Sequence, residues 1–310
     1  MTNEQLISEI NRLRKEKNAV ILAHYYQEPE IQDIADVVGD SLALAQWAEK
    51  ADARMLVVCG VHFMGETAKI LSPDKIVVVP DLNAGCSLAD SCPADRFGAF
   101  VAEHPDHTVV SYVNTTAAVK AHTDIVVTST NARKIIDQLP EDEKIIFGPD
   151  RNLGSYINSV TGRNMLLWDG ACHVHEQFSV DRLVELRRQN PDAITLAHPE
   201  CRQAILRLAD VVGSTQALLN YAIAHPEKTF LVATESGILH EMRRRCPDTN
   251  FIPVPPNDST CACNECNFMR LNTLEKLYLC LRDEKPAIEV DPEIRERAVR
   301  PIHRMLQMSK

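Results

Sequence analysis

Five cysteines lie in three loops of the chain, and each loop follows a short apolar segment. The first loop contains Cys86, the second contains Cys172, and the third contains Cys261, Cys263 and Cys266. Thiolates bind zinc and iron–sulfur clusters, and the reducing interior of a cell favours metal ligation over disulfide formation. One thiolate from each loop would provide three ligands for a shared metal centre.

Three thiolates allow more than one kind of centre. They suit a 4Fe-4S cluster in which one iron has no protein ligand and stays open to substrate. They are too few for a zinc site built from four cysteines, although His173 or His175 could add a fourth ligand. The Cys-x-Cys-x-x-Cys spacing would also allow a cluster held by the third loop alone, and the residue types are compatible with no metal at all.

The spacing does not select one cysteine of the third loop. Cys261 lies seven residues after Val254, and Cys86 likewise lies seven residues after the end of its apolar segment. Cys172, however, lies only four residues after Trp168. Repeat position alone therefore leaves the third ligand open.

The cysteine loops belong to a longer repeat. Ser41, Ser129 and Thr215 each follow an apolar segment and are 88 and 86 residues apart, and Cys86 and Cys172 are again 86 residues apart. A period of this size corresponds to a small domain rather than to a solenoid unit. We expect three homologous copies around a pseudo-threefold axis, where equivalent loops would converge.

Each copy alternates short apolar segments with helical ones. Runs that are apolar on both faces and alternate with helices are typical of parallel sheets covered on both sides. The predicted fold class is α/β, with three homologous three-layer α/β/α sandwich domains and parallel sheets. The expected divisions are an N-terminal helix at 1–17, repeats at 18–104, 105–190 and 191–270, and C-terminal helices at 271–310.

Capping signals mark the ends of several helices. Asn3 is expected to cap the N-terminal helix. Asp291 followed by Pro292 is expected to start the last helix, because proline is favoured at the first helical position. Pro301 should kink or end that helix.

A hydroxyl side chain follows one strand of every repeat. Ser41, Ser129 and Thr215 stand between a predicted strand and a predicted helix, at the N-cap position where a hydroxyl and free N–H groups bind an anion. Plain capping explains most such residues taken singly. Three in register at the carboxyl ends of parallel strands, where ligands bind, indicate a pocket with three anion-binding corners.

Titratable side chains occur at strand ends of the same repeats. His24 and His198 share one repeat position, and Tyr112 is their counterpart in the middle repeat. Tyr26 and Glu200 lie two residues beyond the histidines. A lone histidine after a strand is more often structural, but polar titratable groups at one symmetric position suggest proton transfer.

Composition and charge exclude several kinds of partner. The chain of 310 residues has a net charge of -10 and a pI of about 5.6, which argues against binding to nucleic acid or to an anionic membrane. No apolar run approaches about 18 residues and the first residues lack a signal-peptide pattern, so we expect a cytoplasmic protein. The cysteines outside the three loops are expected to be structural: Cys59, Cys92, Cys201, Cys246 and Cys280.

Several motifs, taken together, match one known family along nearly the whole chain. They are Ala-His24-Tyr-Tyr26-Gln, Gly39-Asp-Ser41, Gly-Cys86-Ser-Leu-Ala-Asp, Tyr112-Val113-Asn114, Thr-Ser129, Trp-Asp-Gly-Ala-Cys172-His-Val-His, His198-Pro199-Glu200-Cys201 and Gly213-Ser-Thr215. With these motifs the chain resembles quinolinate synthase. The resemblance implies three α/β/α domains around a central 4Fe-4S cluster. It also implies condensation of iminoaspartate with dihydroxyacetone phosphate to quinolinate, with loss of phosphate and water, in NAD biosynthesis.

The resemblance also implies the ligands of the cluster. In the family the third cluster cysteine precedes a methionine by three residues and leads into a helix, which selects Cys266 beside Cys86 and Cys172. Many members have Cys-x-x-Cys-x-x-Cys in this loop, whereas this chain has Cys-x-Cys-x-x-Cys. The departure leaves open a redox role for Cys261 and Cys263.

Catalytic and binding residues follow from the resemblance, motif by motif. Ring formation by imine formation and dehydration needs proton transfer, and we assign this general acid/base work to Tyr26, Glu200 and His24. The resemblance also implies that an L-aspartate oxidase or dehydrogenase supplies iminoaspartate. A cluster-dependent hydro-lyase acting on another small dicarboxylate is the alternative function. A non-catalytic iron–sulfur sensor fits less well, because it does not explain the three hydroxyl residues Ser41, Ser129 and Thr215 at equivalent strand ends. The residues implied to hold substrate or product are His24, Ser41, Tyr112, Val113, Asn114, Ser129, His198, Pro199, Glu200 and Thr215.

Overall fold

The computed structural model of the chain describes residues 1–258 and 264–310. Within these ranges, twelve strands form three sheets of four strands each. The strands are β1 Ala19–His24, β2 Val37–Gly39, β3 Met55–Cys59, β4 Ile76–Val78, β5 Thr108–Tyr112, β6 Ile125–Val127, β7 Ile145–Gly148, β8 Leu166–Leu167, β9 Ile194–Ala197, β10 Val211–Val212, β11 Thr229–Ala233 and β12 Asn250–Pro253.

The three sheets share one strand order. It is β2-β1-β3-β4 in the first, β6-β5-β7-β8 in the second and β10-β9-β11-β12 in the third, with parallel neighbours. Parallel neighbours require crossover connections, which the intervening helices provide. The α/β class and one parallel sheet per repeat are thereby confirmed. The pseudo-threefold arrangement and the domain boundaries stay predictions.

Helices fill the connections between the strands. None of the described helices is long and apolar enough to cross a bilayer, and the cytoplasmic location stays a prediction. The α-helices are α1 Asn3–Glu16, α2 Pro29–Ile34, α3 Ser41–Lys50, α4 His62–Leu71, α5 Ser87–Asp90, α6 Ala94–Ala102, α7 Ala117–Lys120, α8 Ala132–Ile136, α9 Arg151–Thr161, α10 His173–Glu176, α11 Val180–Gln189, α12 Gln203–Leu206, α13 Thr215–Ala224, α14 Ile238–Arg245, α15 Leu274–Asp283 and α16 Pro292–Met308, and a 3-10 turn spans Met269–Leu271.

The chain divides into two compact units, each with its own core. In the first unit, Leu6 and Ile10 of α1 pack with β1, β3 and α15. In the second unit, Leu183 of α11 and Ile205 of α12 pack with β9 and β11. The first unit comprises Met1–Pro105, Val113–Val126 and Asn267–Lys310, and the second comprises Asp106–Tyr112 and Val127–Cys266.

The first and third repeats each contain the sequence Ala-Asp-Val-Val-Gly, and its aspartate, Asp36 or Asp210, makes an equivalent contact in both. Asp36 Oδ2 accepts a hydrogen bond from the backbone N–H of Ile21 over 2.8 Å. Asp210 Oδ2 accepts one from the backbone N–H of Thr195 over the same distance. Each carboxylate ties the start of one strand to its neighbour within its own unit, so the motif is structural.

The hydroxyl residues predicted to be N-caps are not caps. Asp40 caps α3 by accepting a hydrogen bond from the N–H of Ala43 over 2.9 Å, so Ser41 is the first helical residue. Ser214 caps α13 in the same way, and Thr215 is the first residue of that helix. Asp40 and Ser214 are the caps because each combines an extended backbone with a short side chain that accepts a hydrogen bond.

Two more cap predictions were wrong. Asn131, rather than Ser129, directly precedes α8. Helix α1 is capped by Thr2, whose hydroxyl accepts from the N–H of Gln5 over 3.3 Å, while Gln5 Oε1 accepts from the N–H of Thr2 over 2.9 Å. This reciprocal capping box places Asn3 inside the helix.

Helix α16 starts as predicted but does not end at Pro301. Asp291 caps it, Pro292 occupies its first position, and the helix continues through Pro301 to Met308. Pro301 and Ile302 belong to a buried face, and α16 packs against α4 and α7 in the first unit. Burial of this face offsets the hydrogen bond that proline cannot make.

Candidate active site

The carboxylate of Glu200 is the centre of a buried polar cluster in the second unit. Tyr112 Oη donates a hydrogen bond to Glu200 Oε1 over 2.6 Å. His175 Nδ1 lies 3.0 Å from Glu200 Oε2, and His198 Nδ1 lies 3.9 Å from Oε1. Tyr112 ends β5 and Glu200 follows β9, so the cluster forms at the carboxyl ends of strands.

The surroundings of Glu200 keep this side chain ionised. Burial alone would raise the pKa of the carboxyl group. His175 and His198 oppose this effect electrostatically, and hydrogen bonds from His175 and Tyr112 reinforce that opposition. Together they lower the pKa of Glu200 to about 2. At neutral pH Glu200 is therefore a carboxylate, able to act as a base or a ligand rather than as an acid.

His175 connects this carboxylate to a cysteine. Its Nδ1 lies 3.2 Å from Cys172 Sγ, and its Nε2 lies 3.1 Å from Thr234 Oγ1. Potential ligand atoms of Cys172, His175 and Glu200 all lie within 4.8 Å of one another. Thiolate, imidazole and carboxylate are ligands that transition metals accept in proteins, so these three residues could hold a metal ion.

Buried acidic side chains fix the backbone of two cysteine loops in the second unit. Cys172 donates its backbone N–H to Asp150, and Cys266 donates its backbone N–H to Glu235 Oε1 over 3.1 Å. Glu235 Oε2 also accepts from the N–H of Gly237 over 2.7 Å. Burial, and then the nearby Glu200 charge, raise the pKa of Asp150 well above its usual range.

His198 joins a predicted hydroxyl residue to the same cluster. Its Nε2 lies 3.2 Å from Ser129 Oγ, and its Nδ1 accepts a hydrogen bond from the backbone N–H of Glu200 over 3.3 Å. Asn152 Nδ2 donates to the backbone carbonyl of Glu200 over 3.1 Å. The second unit thus brings together four of the predicted substrate-binding residues, Tyr112, Ser129, His198 and Glu200, beside the predicted metal ligand Cys172.

The first unit repeats this local geometry at His24. Its Nδ1 accepts a hydrogen bond from the backbone N–H of Tyr26 over 3.2 Å, just as His198 accepts one from the residue two positions later. The rings of His24 and Tyr26 meet edge to face, with centroids 4.5 Å apart. The repeat positions of the two histidines therefore share one backbone turn as well as a residue type.

Ser41 and Val113 line one small cavity in the first unit. The cavity has a volume of about 10 Å³, and Phe63 and Thr67 also line it. This is room for roughly one water molecule. Two predicted substrate-binding residues are thus neighbours, although the space between them is too small for a phosphate group.

Comparisons with known proteins identify the family. A sequence model described as "Quinolinate synthetase A protein" matches residues 8–307. The chain is 60% identical over 304 residues to quinolinate synthase of Thermosynechococcus vestitus, covering 98% of this chain and 95% of that protein. It is 56% identical over 305 residues to quinolinate synthase of Chloroherpeton thalassium, with the same coverage of both chains. The chain belongs to the quinolinate synthase family. It is therefore an enzyme.

The other residues that the quinolinate synthase motifs single out lie near these clusters in sequence. Pro199 lies in the turn between His198 and Glu200, and Thr215 is buried at the start of α13. Asn114 follows β5, and its Oδ1 is buried with no hydrogen-bond partner among the described residues. Their roles in a quinolinate synthase reaction stay proposals.

The described cysteines of this quinolinate synthase family member fall into two groups. Cys86, Cys172 and Cys266 are half-buried cysteines that form no disulfide among the described residues, while Cys261 and Cys263 lie outside the described residues. The other five are buried, and burial raises the pKa of each thiol, which disfavours the thiolate that a metal requires. These five agree with their expected structural role: Cys59, Cys92, Cys201, Cys246 and Cys280.

Sequence reasoning missed several residues that the structure brings into the candidate site. Asp150, Asn152, Thr234 and Glu235 do not stand out in the sequence, and His175 does so only as a zinc ligand. One signal could have found two of them. Asp150 follows β7 and Thr234 follows β11, which are equivalent strands of two repeats, so both stand at strand ends.

Proposed function

We propose that the protein condenses iminoaspartate with dihydroxyacetone phosphate to quinolinate, releasing phosphate and water, in NAD biosynthesis. The observation that carries this proposal is the continuous contact of Tyr112, Glu200, His175 and Cys172 in a member of this family. It joins a phenol, a carboxylate and an imidazole to a cysteine of the predicted metal centre. Condensation with dehydration requires proton-transfer groups beside an electrophilic catalyst.

A 4Fe-4S cluster is the proposed cofactor, with Cys86, Cys172 and Cys266 as its ligands. These cysteines suit the group because they lie at half-buried loop positions and form no disulfide among the described residues. Asp150 and Glu235 hold the backbone of two of the loops and so limit the positions that their thiolates can take. When bound, the cluster supplies a Lewis-acidic iron that has no protein ligand.

Tyr26, Glu200 and His24 are the proposed acid/base residues. Glu200 is ionised at neutral pH, which is the form that a base requires, and the hydrogen bond from Tyr112 fixes the direction of its Oε1. Because its pKa is low, it takes only protons that the reaction makes strongly acidic. The Tyr26 phenol is a proton donor, and its ring is oriented by edge contact with His24. Imine formation and dehydration each need one group that gives a proton and one that takes it.

Anionic groups of the substrates and product define the remaining binding residues. Quinolinate has two carboxylates and dihydroxyacetone phosphate has a phosphate, and both pair with hydroxyl, imidazole and amide donors. Ser41 and Thr215 do not cap their helices, so capping does not account for their hydroxyl groups. The proposed binding residues are His24, Ser41, Tyr112, Val113, Asn114, Ser129, His198, Pro199, Glu200 and Thr215.

The chemistry of iminoaspartate implies a supplying enzyme. An imine of this kind hydrolyses in water, so it must be made where it is consumed. We propose that an L-aspartate oxidase or dehydrogenase provides it to this protein in the cytoplasm.

Anaerobic turnover tests the proposed function. Protein with a reconstituted cluster is incubated with dihydroxyacetone phosphate and with iminoaspartate generated in the same vessel, and quinolinate is measured by mass spectrometry. We expect quinolinate that depends on both substrates and is lost in Cys172→Ser, with Cys59→Ser as the matched control. Cluster-loaded protein that makes no quinolinate contradicts the proposal. Dehydration of another small dicarboxylate by the same sample would identify the hydro-lyase function instead.

A further inference from the structure

Lys120 is a fully buried lysine whose bonds go to the backbone on both sides of Asn114. It lies at the end of α7 and has no solvent exposure. Its Nζ donates hydrogen bonds to the carbonyl of Val113 over 2.8 Å and to the carbonyl of Thr115 over 2.5 Å. The two carbonyls belong to the residues immediately before and after Asn114. Lys120 therefore binds the loop around Asn114 through two hydrogen bonds.

Burial of an ammonium group is costly, so this lysine needs compensating contacts. Burial lowers the pKa of Lys120 to about 8, while the charges of Glu66 and Cys86 favour its protonated form. Its Nζ also lies 5.5 Å from the ring centroid of Phe63, in a cation–π contact. A methionine or leucine could fill the same space without this cost, so packing alone does not explain the lysine.

Helix α4 holds the same loop from a second direction. Glu66 Oε2 accepts a hydrogen bond from the backbone N–H of Ala117 over 2.9 Å. Thr116 Oγ1 accepts from the N–H of Val119 over 3.3 Å and starts α7. The loop from Val113 to Ala117 is thereby fixed at both of its ends within the first unit.

The loop presents an amide oxygen that has no hydrogen-bond donor among the described residues. The Oδ1 atom of Asn114 is buried and has no hydrogen-bond partner among the described residues. Buried amide oxygens in native proteins are nearly always bonded, so an orphaned one points to a missing donor. Val113 and Phe63 line the cavity that contains Ser41, which places the loop beside a predicted binding residue.

We propose that Lys120 is a positioning residue that holds Asn114 in the orientation needed to bind substrate. Its two bonds fix the peptide groups flanking Asn114 and leave the side-chain amide to the ligand. The inference rests on the proposed function, since it assumes that Asn114 meets the substrate. It adds a residue that acts through the backbone of the loop.

Turnover and substrate affinity of Lys120→Met test the inference. The substitution keeps most of the volume but removes both hydrogen bonds to the loop. We expect kcat to fall by roughly 10- to 100-fold, the scale of a misplaced binding group, with iron content and thermal midpoint near wild type. The matched control is Lys69→Met, because Lys69 in α4 also bonds two backbone carbonyls, those of Pro73 and Lys75, away from this loop. It should retain wild-type turnover.

A double-mutant cycle separates positioning from general stability. If Lys120 acts through Asn114, Lys120→Met should change kcat less than about two-fold once Asn114→Ala is already present. Losses that multiply in the double variant overturn the inference, as does wild-type turnover in Lys120→Met. If Lys120→Met does not fold, the same cycle is run with Lys120→Gln, whose shorter amide can still bond one carbonyl.

Quinolinate formation by the wild-type protein distinguishes a failure of the proposed function from a failure of the proposed role of Lys120. Quinolinate formed by wild type together with multiplying losses in the cycle contradicts the role of Lys120 and leaves the proposed function standing. Absence of quinolinate from cluster-loaded wild type contradicts the proposed function, and the inference falls with it. Quinolinate formation with non-additive losses supports both.

Discussion

Cys266 donates its backbone N–H to Glu235 Oε1 over 3.1 Å, so a buried carboxylate holds the loop of a proposed cluster ligand. Groups that orient metal ligands contribute to affinity without touching the metal. We expect Glu235→Ala to lower cluster affinity by roughly 10- to 100-fold, measured as iron retained during anaerobic dialysis against a chelator.

Glu241→Ala provides the matched control for that prediction. Glu241 is also a buried glutamate of the second unit, but it pairs with Arg244 and Arg245 on α14. Its loss should leave iron retention unchanged. Equal iron loss in both variants would show that general destabilisation, rather than the Cys266 loop, is responsible.

The chain period made much of the fold predictable. Residues spaced by about 86 positions lie at equivalent strand ends because each repeat folds into its own sheet with the same strand order, and this repeat predicted the parallel α/β class. Cap residues were harder. Asp40 and Ser41 are both plausible caps from their residue types, and only the backbone geometry decides that Asp40 is the cap.

The polar contacts within the candidate site could not be predicted from the sequence repeat. Cys266 and Glu235 are 31 residues apart, and their contact depends on how one loop folds over a strand end. His175 follows Cys172 by one helical turn, a spacing that permits contact but does not require it. Hydrophobic periodicity carries no information about such polar partners, which become visible only with burial and distances.

Iron content should separate the proposed ligands from the structural cysteines. Wild type purified anaerobically should hold about four irons per chain, the content of one 4Fe-4S cluster. Cys86→Ser, Cys172→Ser and Cys266→Ser should each lose most of the iron, because serine is a poor ligand for this cluster. The buried Cys59 and Cys280 have raised thiol pKa values, so their serine variants should keep the iron.

The other two cysteines of the third loop are controls for the assignment of Cys266 as a cluster ligand. Cys261→Ser and Cys263→Ser should keep the cluster if Cys266 is the ligand. Loss of iron in Cys261→Ser with retention in Cys266→Ser would show that the ligand was assigned to the wrong cysteine. Stoichiometric zinc without iron–sulfur absorption after reconstitution would refute the cluster itself.

Substitutions of the acid/base residues should affect turnover more than metal content. Glu200→Gln and Tyr26→Phe remove a titratable group with little change in volume. We expect each to lower kcat by roughly 10²-fold or more, the usual scale for losing a general acid or base, with iron near wild type. Wild-type turnover in both cluster-loaded variants would make these residues structural.

The stability of the protein should depend on the charge of Glu200 in acid. Its pKa is lowered from 4.5 to about 2 in the folded protein. A lowered carboxyl pKa stabilises the folded state fully above the unfolded value, and this contribution is lost as the pH falls through the folded value. The difference in unfolding free energy between wild type and Glu200→Gln should therefore shrink as the pH falls from about 5 towards 2.

Denaturant unfolding at a series of pH values measures that difference. Glutamine does not titrate, so the variant provides the pH-independent reference at this position. A difference that stays constant from neutral pH down to about pH 2 would show that the folded protein does not favour ionised Glu200.

The most direct test of the central claim is quinolinate turnover measured against cluster occupancy. Wild-type protein is reconstituted anaerobically to a graded series of iron and sulfide contents, and each sample receives both substrates. If the cluster held by Cys86, Cys172 and Cys266 is the catalyst, turnover per chain should rise in proportion to occupancy and vanish in the apo-protein. Turnover that is independent of occupancy, or absent at full occupancy, would contradict the account.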